Sequence, residues 1–193
     1  MNTYHQIAEE IIQLYNTHGG NEYAGEKVTQ LEHMYQAAAL AAKEGYDEEV
    51  ILAAFLHDIG HICVTAGSDN GMDGYGIRDH EGVGADFLRQ RGFSERLVRL
   101  VASHVDAKRY LTATDPEYYE QLSEASKRTL EYQGGPMSRE EVRGFEEDPL
   151  FELIVKMRLW DEAAKVEHQP VASLDDFYDM IVRYFELQQS NYA

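Results

Sequence analysis

One cysteine, Cys63, stands in 193 residues, so no internal disulfide can form, and the chain suits a reducing compartment. A lone cysteine is most simply a packed residue. Positive charge is scarce: 17 Lys and Arg face 35 Asp and Glu, a formal net charge of -18. That balance argues against nucleic acid or an anionic membrane as partner, because both are bound by basic surface. An anionic substrate would need a few local cations to overcome the global field. No apolar run is long enough to span a bilayer. The opening residues, Met1 to Gln6, lack a basic region followed by an apolar one. There is no strand alternation, no repeat and no low-complexity tract. The expectation is one cytoplasmic all-α domain over residues 1–193.

What is present is helical period. Ile7, Ile11, Ile12, Leu14 and Tyr15 mark a first helix that Gly19 and Gly20 end. A second is expected near Lys27–Glu44, with Gly45 as C-cap. Asp47 caps a third, Glu48–Ile59, which is apolar almost throughout. Residues 63–79 read as a loop, because Gly67, Gly71, Gly74 and Gly76 break any pattern. A fourth helix runs from His80 to Arg91. Ser94 caps a fifth that reaches His104, followed by the stretch Val105–Asp115. Pro116 opens another helix, the sequence from Gly134 to Pro136 breaks the chain, and Ser138 with Glu141 forms a capping box. The last helices cover roughly Leu150–Lys165 and Leu174–Gln188.

The chemistry concentrates in Phe55 to His61, where His57, Asp58 and His61 fall within five residues. Imidazole beside carboxylate is a donor set for a first-row metal ion. On a continuing helix His57 and His61 share a face, with Asp58 ~100° round. His33, His80 and His104 also sit at helix ends or in apolar patterns. His33 shares its side with Gln30 and Ala37. Asp161 follows the only tryptophan inside an apolar run, where a carboxylate needs a metal or a partner such as Arg158. His5, His18 and His168 lie in polar surroundings and read as solvated.

The order His33, His57-Asp58, His80, His104, Asp161 resembles the HD-domain metalloproteins, helical bundles that are mostly metal-dependent phosphohydrolases. Tyr23 with Glu26, Gln30 to His33, Gly74 to Glu81, His104 to Tyr110, Ser126 to Met137 and Arg158 to Glu162 are similar, more narrowly, to the phosphonate-degrading HD-domain oxygenases. The run from Ser126 to Met137 is the most specific of these, since nothing in the basic fold requires it. The resemblance implies an HD-domain bundle with extra C-terminal helices and a metal-binding core at about residues 23–165. It implies a non-haem di-iron oxygenase with a mixed-valence Fe(II)/Fe(III) pair and O2 as co-substrate. Such enzymes cleave the C–P bond of a 1-hydroxy-2-aminoethylphosphonate, or its N-methylated form, to phosphate and glycine or glycine betaine. Carried over residue by residue, His33, His57, Asp58 and Asp161 hold one iron, and Asp58 bridges to a second held by His80 and His104. Lys108, Ser126, Gln133 and Arg158 hold the phosphonate. His61 handles protons or orients substrate beside the metals. Tyr23 and Glu26 guard the open iron before substrate arrives.

Thirteen tyrosines, among them Tyr23, Tyr75, Tyr110 and Tyr132, tilt the expectation slightly towards a trimethylammonium substrate, which favours aromatic faces. The alternatives are an HD phosphohydrolase acting on a phosphomonoester or nucleotide, a regulatory HD module lacking part of the ligand set, and an inositol-type oxygenase. The filled ligand set stands against the second, and Lys108 and Arg158 stand against the third.

Overall fold

The computed structural model describes residues 3–23, 25–63, 72 and 77–190. The loop expected at 63–79 falls largely outside them. Among the described residues there are ten α-helices and no strand: α1 Thr3–His18, α2 Gln30–Lys43, α3 Glu48–Leu56, α4 His80–Gln90, α5 Glu95–Thr114, α6 Pro116–Gln121, α7 Glu124–Tyr132, α8 Arg139–Glu146, α9 Phe151–Ala163 and α10 Leu174–Ser190. None is long and apolar enough to cross a membrane. The all-α expectation holds.

Caps explain most boundaries. Asp47, Ser94 and Ser123 each accept a backbone N–H at the start of a helix, and Ser138 with Glu141 closes the expected capping box. Thr29 and Glu32 form a second capping box, so α2 begins at Gln30 and not at Lys27. Glu26 therefore lies in the turn before α2. There Tyr23 N–H donates to Val28 O (2.9 Å) and Glu26 N–H to Tyr23 O (2.8 Å).

Two departures from the expected helices matter to the site. First, α3 stops at Leu56, and Ile59–His61 is a 3-10 turn. His57 and His61 therefore do not share one helical face. Second, α5 does not stop near His104 but runs to Thr114. Val105 to Thr114 contains neither glycine nor proline, and Ala107 and Lys108 are buried. Continuation puts Lys108 one turn beyond His104 on the same side.

α3 is the central helix, with Leu52 to Leu56 all fully buried. It packs against α2, α5, α9 and α10. Phe55 is stacked between Tyr15 (4.4 Å) and Phe177 of α10 (3.7 Å), and Tyr15 donates to Phe55 O at 2.6 Å. The C-terminal helix thus buttresses the helix that delivers His57 and Asp58.

Gly60 fixes how closely α4 approaches that turn. A Cβ there would lie 1.9 Å from His80 O and 3.0 Å from Gly84 N. Asp79, in the left-handed region (φ 61°), turns the chain into α4 so that His80 is its first residue. Gly60→Ala is expected to destabilise the fold by roughly 2–3 kcal/mol, because the clash is with backbone. For a chain of this size that lowers the melting temperature by about 4–12 °C. A calorimetric midpoint within 2 °C of the parent would contradict this account of the glycine.

Candidate metal centre

Four histidines and two carboxylates from five elements meet in the core. His33 comes from the first turn of α2, His57 caps α3, Asp58 follows it, His80 opens α4, His104 sits in mid-α5 and Asp161 in the last turn of α9. All six are at least 95% buried.

The decisive feature is on the far side of each ring. His33 Nδ1 bonds Ala164 O (2.9 Å), His57 Nδ1 bonds Ala54 O (2.8 Å), His80 Nδ1 bonds Ile77 O (3.2 Å) and His104 Nδ1 bonds Val101 O (2.8 Å). A carbonyl oxygen has no proton to give, so each Nδ1 carries a hydrogen, and each ring in its neutral form turns an Nε2 lone pair inward. The lone pairs meet in twos: His33 and His57 Nε2 lie 3.1 Å apart, and His80 and His104 Nε2 lie 3.0 Å apart.

Asp58 stands between the two pairs. Its Oδ2 is 3.5 Å from both His33 and His57 Nε2, and its Oδ1 is 3.1 and 3.2 Å from His80 and His104 Nε2. Asp161 Oδ1 is 3.3 Å from His33 Nε2 and 3.8 Å from His57 Nε2. Both Asp58 oxygens and Asp161 Oδ1 are buried with no hydrogen-bond partner among the described residues. Facing lone pairs and orphaned carboxylate oxygens in a dry core repel unless cations lie between them. The nitrogen and oxygen donors fit first-row metal ions. Ligand atoms of His33, His57 and Asp58 fall within 4.8 Å of one another, as do those of Asp58, His61 and His80. This site can hold metal ions.

Protonation follows the same field. Burial favours a neutral Asp58, but the facing imidazoles outweigh it and hold the carboxyl well below its usual range. Asp161 is likewise held low against its burial, chiefly by Arg158. Burial pushes His57 down to about 4. His33 is also opposed by burial, yet hydrogen bonds and charges from Asp161 and Asp58 raise it to about 9.

His61 differs from the other four. It stacks on His80 at 4.0 Å, and its Nδ1 accepts the Ile77 N–H at 3.2 Å. Burial pushes its pKa down to about 3, so it is neutral and carries its proton on Nε2. It offers a donor where the others offer lone pairs.

Beside the histidines is a cavity of about 40 Å³, lined by Tyr23, Glu26, Gln30, His61, Met72, His80, His104, Lys108, Ser126, Thr129, Gln133 and Arg158 among others. Tyr23 covers it, its ring stacked 3.9 Å from that of His33. Burial, then the charges of Asp58 and Asp161, hold the phenol well above its ordinary value and hence neutral. Lys108 is 2% exposed, and its Nζ donates to Thr129 Oγ1 at 2.9 Å. Burial, then the charge of Arg158, pushes it down to about 7. Gln133 Oε1 is buried with no hydrogen-bond partner among the described residues. Arg158 reaches the cavity but is already engaged: Nε donates to Tyr118 OH (2.7 Å), one terminal nitrogen to Asp161 Oδ2 (2.5 Å) and the other to Glu162. It therefore orients Asp161, leaving Oδ1 to face His33.

Sequence reasoning did not single out Thr129 or Gln30 as cavity residues. Both had a helical signal: Ser126, Thr129 and Gln133 are spaced as one face of α7, and Gln30 lies one turn before His33 on α2. The aromatic abundance proves to belong elsewhere. Tyr110 packs on Phe145 and Phe151, and Arg78 lies over Tyr132. Tyr23 alone of the described tyrosines lines the cavity, and Tyr75 falls outside the described residues. His5 is half-buried, with its Nδ1 2.8 Å from Tyr178 OH. Cys63, with its thiol pushed up to about 11 by burial, takes no part.

A helical bundle whose central helix ends in a His-Asp pair, with further histidines converging from neighbouring helices, is the HD architecture. The HD-domain profile matches residues 31–156, so the chain belongs to the HD-domain family. Within it the chain is an HD-domain phosphonate oxygenase by relationship. It is 44% identical over 177 residues, 92% of this chain and 89% of the relative, to [1-hydroxy-2-(trimethylamino)ethyl]phosphonate dioxygenase (glycine-betaine-forming) of Leisingera caerulea. It is 38% identical over 168 residues, 87% of this chain and 83% of the relative, to hydroxymethylphosphonate dioxygenase of Gimesia maris. An uncharacterised protein of Acanthamoeba polyphaga mimivirus is 42% identical over 186 residues, 96% of this chain and 85% of that protein.

Asp58→Asn would replace one of the two carboxylate oxygens by an amide NH2, so that only one histidine pair still faces an oxygen. The variant should lose the rise in melting temperature that metal gives the parent. At a hundredfold excess over Kd that rise is worth about 2.7 kcal/mol. Thermal scans with and without chelator read the effect, and a variant that keeps the full metal-induced rise would refute the bridging position of Asp58.

Proposed function

We propose that the protein is an iron- and O2-dependent oxygenase that cleaves the C–P bond of a 1-hydroxy-2-aminoethylphosphonate or its N-methylated form. The products are phosphate and glycine or glycine betaine. The supporting observation is the pairing at Asp58: one carboxylate faces two histidine pairs, and a cavity with buried cationic groups adjoins one of them. Two relatives, one named a [1-hydroxy-2-(trimethylamino)ethyl]phosphonate dioxygenase and one a hydroxymethylphosphonate dioxygenase, support a reaction at the hydroxyl-bearing carbon next to phosphorus.

In this reading one domain carries the whole activity, with residues 23–165 as its metal-binding core. His33, His57, Asp58 and Asp161 hold one iron, and Asp58, His80 and His104 hold the other. A mixed-valence Fe(II)/Fe(III) pair supplies the redox chemistry and activates O2. The protein's part is binding, orientation and exclusion of water. Lys108, Ser126 and Gln133 receive the phosphonate as donors, and Arg158 adds positive charge while fixing Asp161. His61 presents its Nε2–H beside His80 and orients the substrate. Glu26 attracts the cationic amine end. A cavity of about 40 Å³ has room for two or three waters but not for a substituted ethylphosphonate, so Tyr23 has to withdraw when substrate enters. The substrate is a free small molecule, with no nucleic acid or membrane partner, in the cytoplasm.

Iron-loaded protein given 1-hydroxy-2-aminoethylphosphonate and its trimethyl analogue should consume O2 and release phosphate with at least one of them. Phosphate release from a phosphomonoester or nucleotide without O2 uptake, and none from either phosphonate, would establish a phosphohydrolase instead. Lys108 adds a pH signature. Its proton is largely lost above pH 7 in the empty site, and an anion binds the protonated form better. We therefore expect kcat/KM to fall about tenfold per unit above pH 7, until the shift in the bound state is exhausted. Lys108→Met should lower kcat/KM by about a hundredfold and abolish that limb, with iron content unchanged; loss of iron would show that Lys108 supports the metals.

A further inference from the structure

Lys165 lies just past the end of α9, behind the cavity wall. It does not line the cavity, yet it touches two residues that do. Its Nζ is 3.1 Å from Ser126 Oγ, 3.2 Å from Glu26 Oε1 and 2.9 Å from Glu162 Oε1. An ammonium has three protons and no acceptor; Lys165 donates to Ser126 Oγ and Glu162 Oε1 and pairs with the Glu26 carboxylate. Because Lys165 does not line the cavity, its effect there passes through the residues it holds.

Ser126 is the informative one. Its backbone is fixed by the Ser123 Oγ bond to its N–H (3.1 Å), and its carbonyl receives Thr129 Oγ1 (3.2 Å) and Lys108 Nζ (3.4 Å). Its hydroxyl can accept from Lys165 but cannot donate to it. Among the described hydrogen bonds Ser126 Oγ donates to nothing, and the side chain faces the cavity beside Lys108 and Gln133. A hydroxyl whose lone pair is claimed from behind presents its proton to the front. Glu26 is drawn the other way: Lys165 and the Ser123 hydroxyl (2.5 Å) both bind its Oε1, which keeps part of its negative charge compensated beside a pocket meant for an anion.

We propose that Lys165 is a positioning residue of the phosphonate pocket: by engaging the Ser126 oxygen from outside the cavity, it directs that hydroxyl's proton inward as a donor to the bound anion. This rests on the phosphonate reading and extends it to a residue outside the cavity wall. Without Lys165, Ser126 can spend its proton elsewhere, and the pocket loses an oriented donor without losing any group that touches ligand.

The test is a double-mutant cycle on metal-loaded protein, read by calorimetric titration with methylphosphonate. Ser126→Ala and Lys165→Met should each weaken binding by about tenfold. The double variant should also lose about tenfold, because the lysine has nothing to orient once the hydroxyl is gone. Lys165→Gln, which keeps an N–H donor, should stay within about threefold of the parent. It also serves as the folded comparison if Lys165→Met is unstable. Additive losses near a hundredfold, or a Lys165→Gln variant as weak as Lys165→Met, would overturn the assignment and leave the phosphonate reading standing. Failure of the parent to bind methylphosphonate would overturn the phosphonate reading and this inference together.

Discussion

The site depends on four hydrogen bonds that point away from it. Ala164, Ala54, Ile77 and Val101 each offer a carbonyl oxygen to a histidine Nδ1. These bonds choose the tautomer, and the tautomer turns four Nε2 lone pairs onto one buried carboxylate. Three of the carbonyls lie three residues from their histidine, so the local backbone geometry sets the ring. The fourth, Ala164, lies 131 residues from His33, and it belongs to the end of α9 that also brings Asp161. One helix terminus therefore positions a ring and supplies its carboxylate partner.

The fold exists around this constraint. A set of unpaired lone pairs and carboxylates costs stability, and the surrounding apolar helices must supply it. α3 is buried on every side from Leu52 to Leu56, and Phe55 is held between Tyr15 and Phe177 two residues before the His-Asp pair. Gly60 lets the start of α4 close against the 3-10 turn, which brings His80 to Asp58. Arg158 occupies Asp161 Oδ2 and so determines which oxygen remains for His33.

The acidic composition becomes intelligible at the pocket. With a net charge of -18, the chain places cations behind and beside the cavity, where burial limits screening. Lys108 lies within it, Arg158 is locked to its own carboxylates, and Lys165 stands outside, held by Ser126, Glu162 and Glu26. Burial brings the charge change of Lys108 close to neutral pH.

The helical class, most helix boundaries and the six converging side chains were legible in the sequence, because helical period, capping residues and His/Asp chemistry are local properties. Ser94, Asp47 and Ser138 announce their helices without any knowledge of the fold. The residues proposed to bind substrate were legible only through resemblance to a family, since a serine, a glutamine and a lysine carry no signal of their own. Tertiary structure decided the rest. The end of α3 at Leu56 separates His57 from His61, and the continuation of α5 places Lys108 below His104. Tautomers depend on carbonyls that converge in space, as Ala164 does on His33. Whether His61 gives a lone pair or a proton turns on one N–H, that of Ile77, sixteen residues away. The sequence determined which chemical groups are available; the direction each one faces is a property of packing, because a ring or a hydroxyl takes its orientation from the partner it finds.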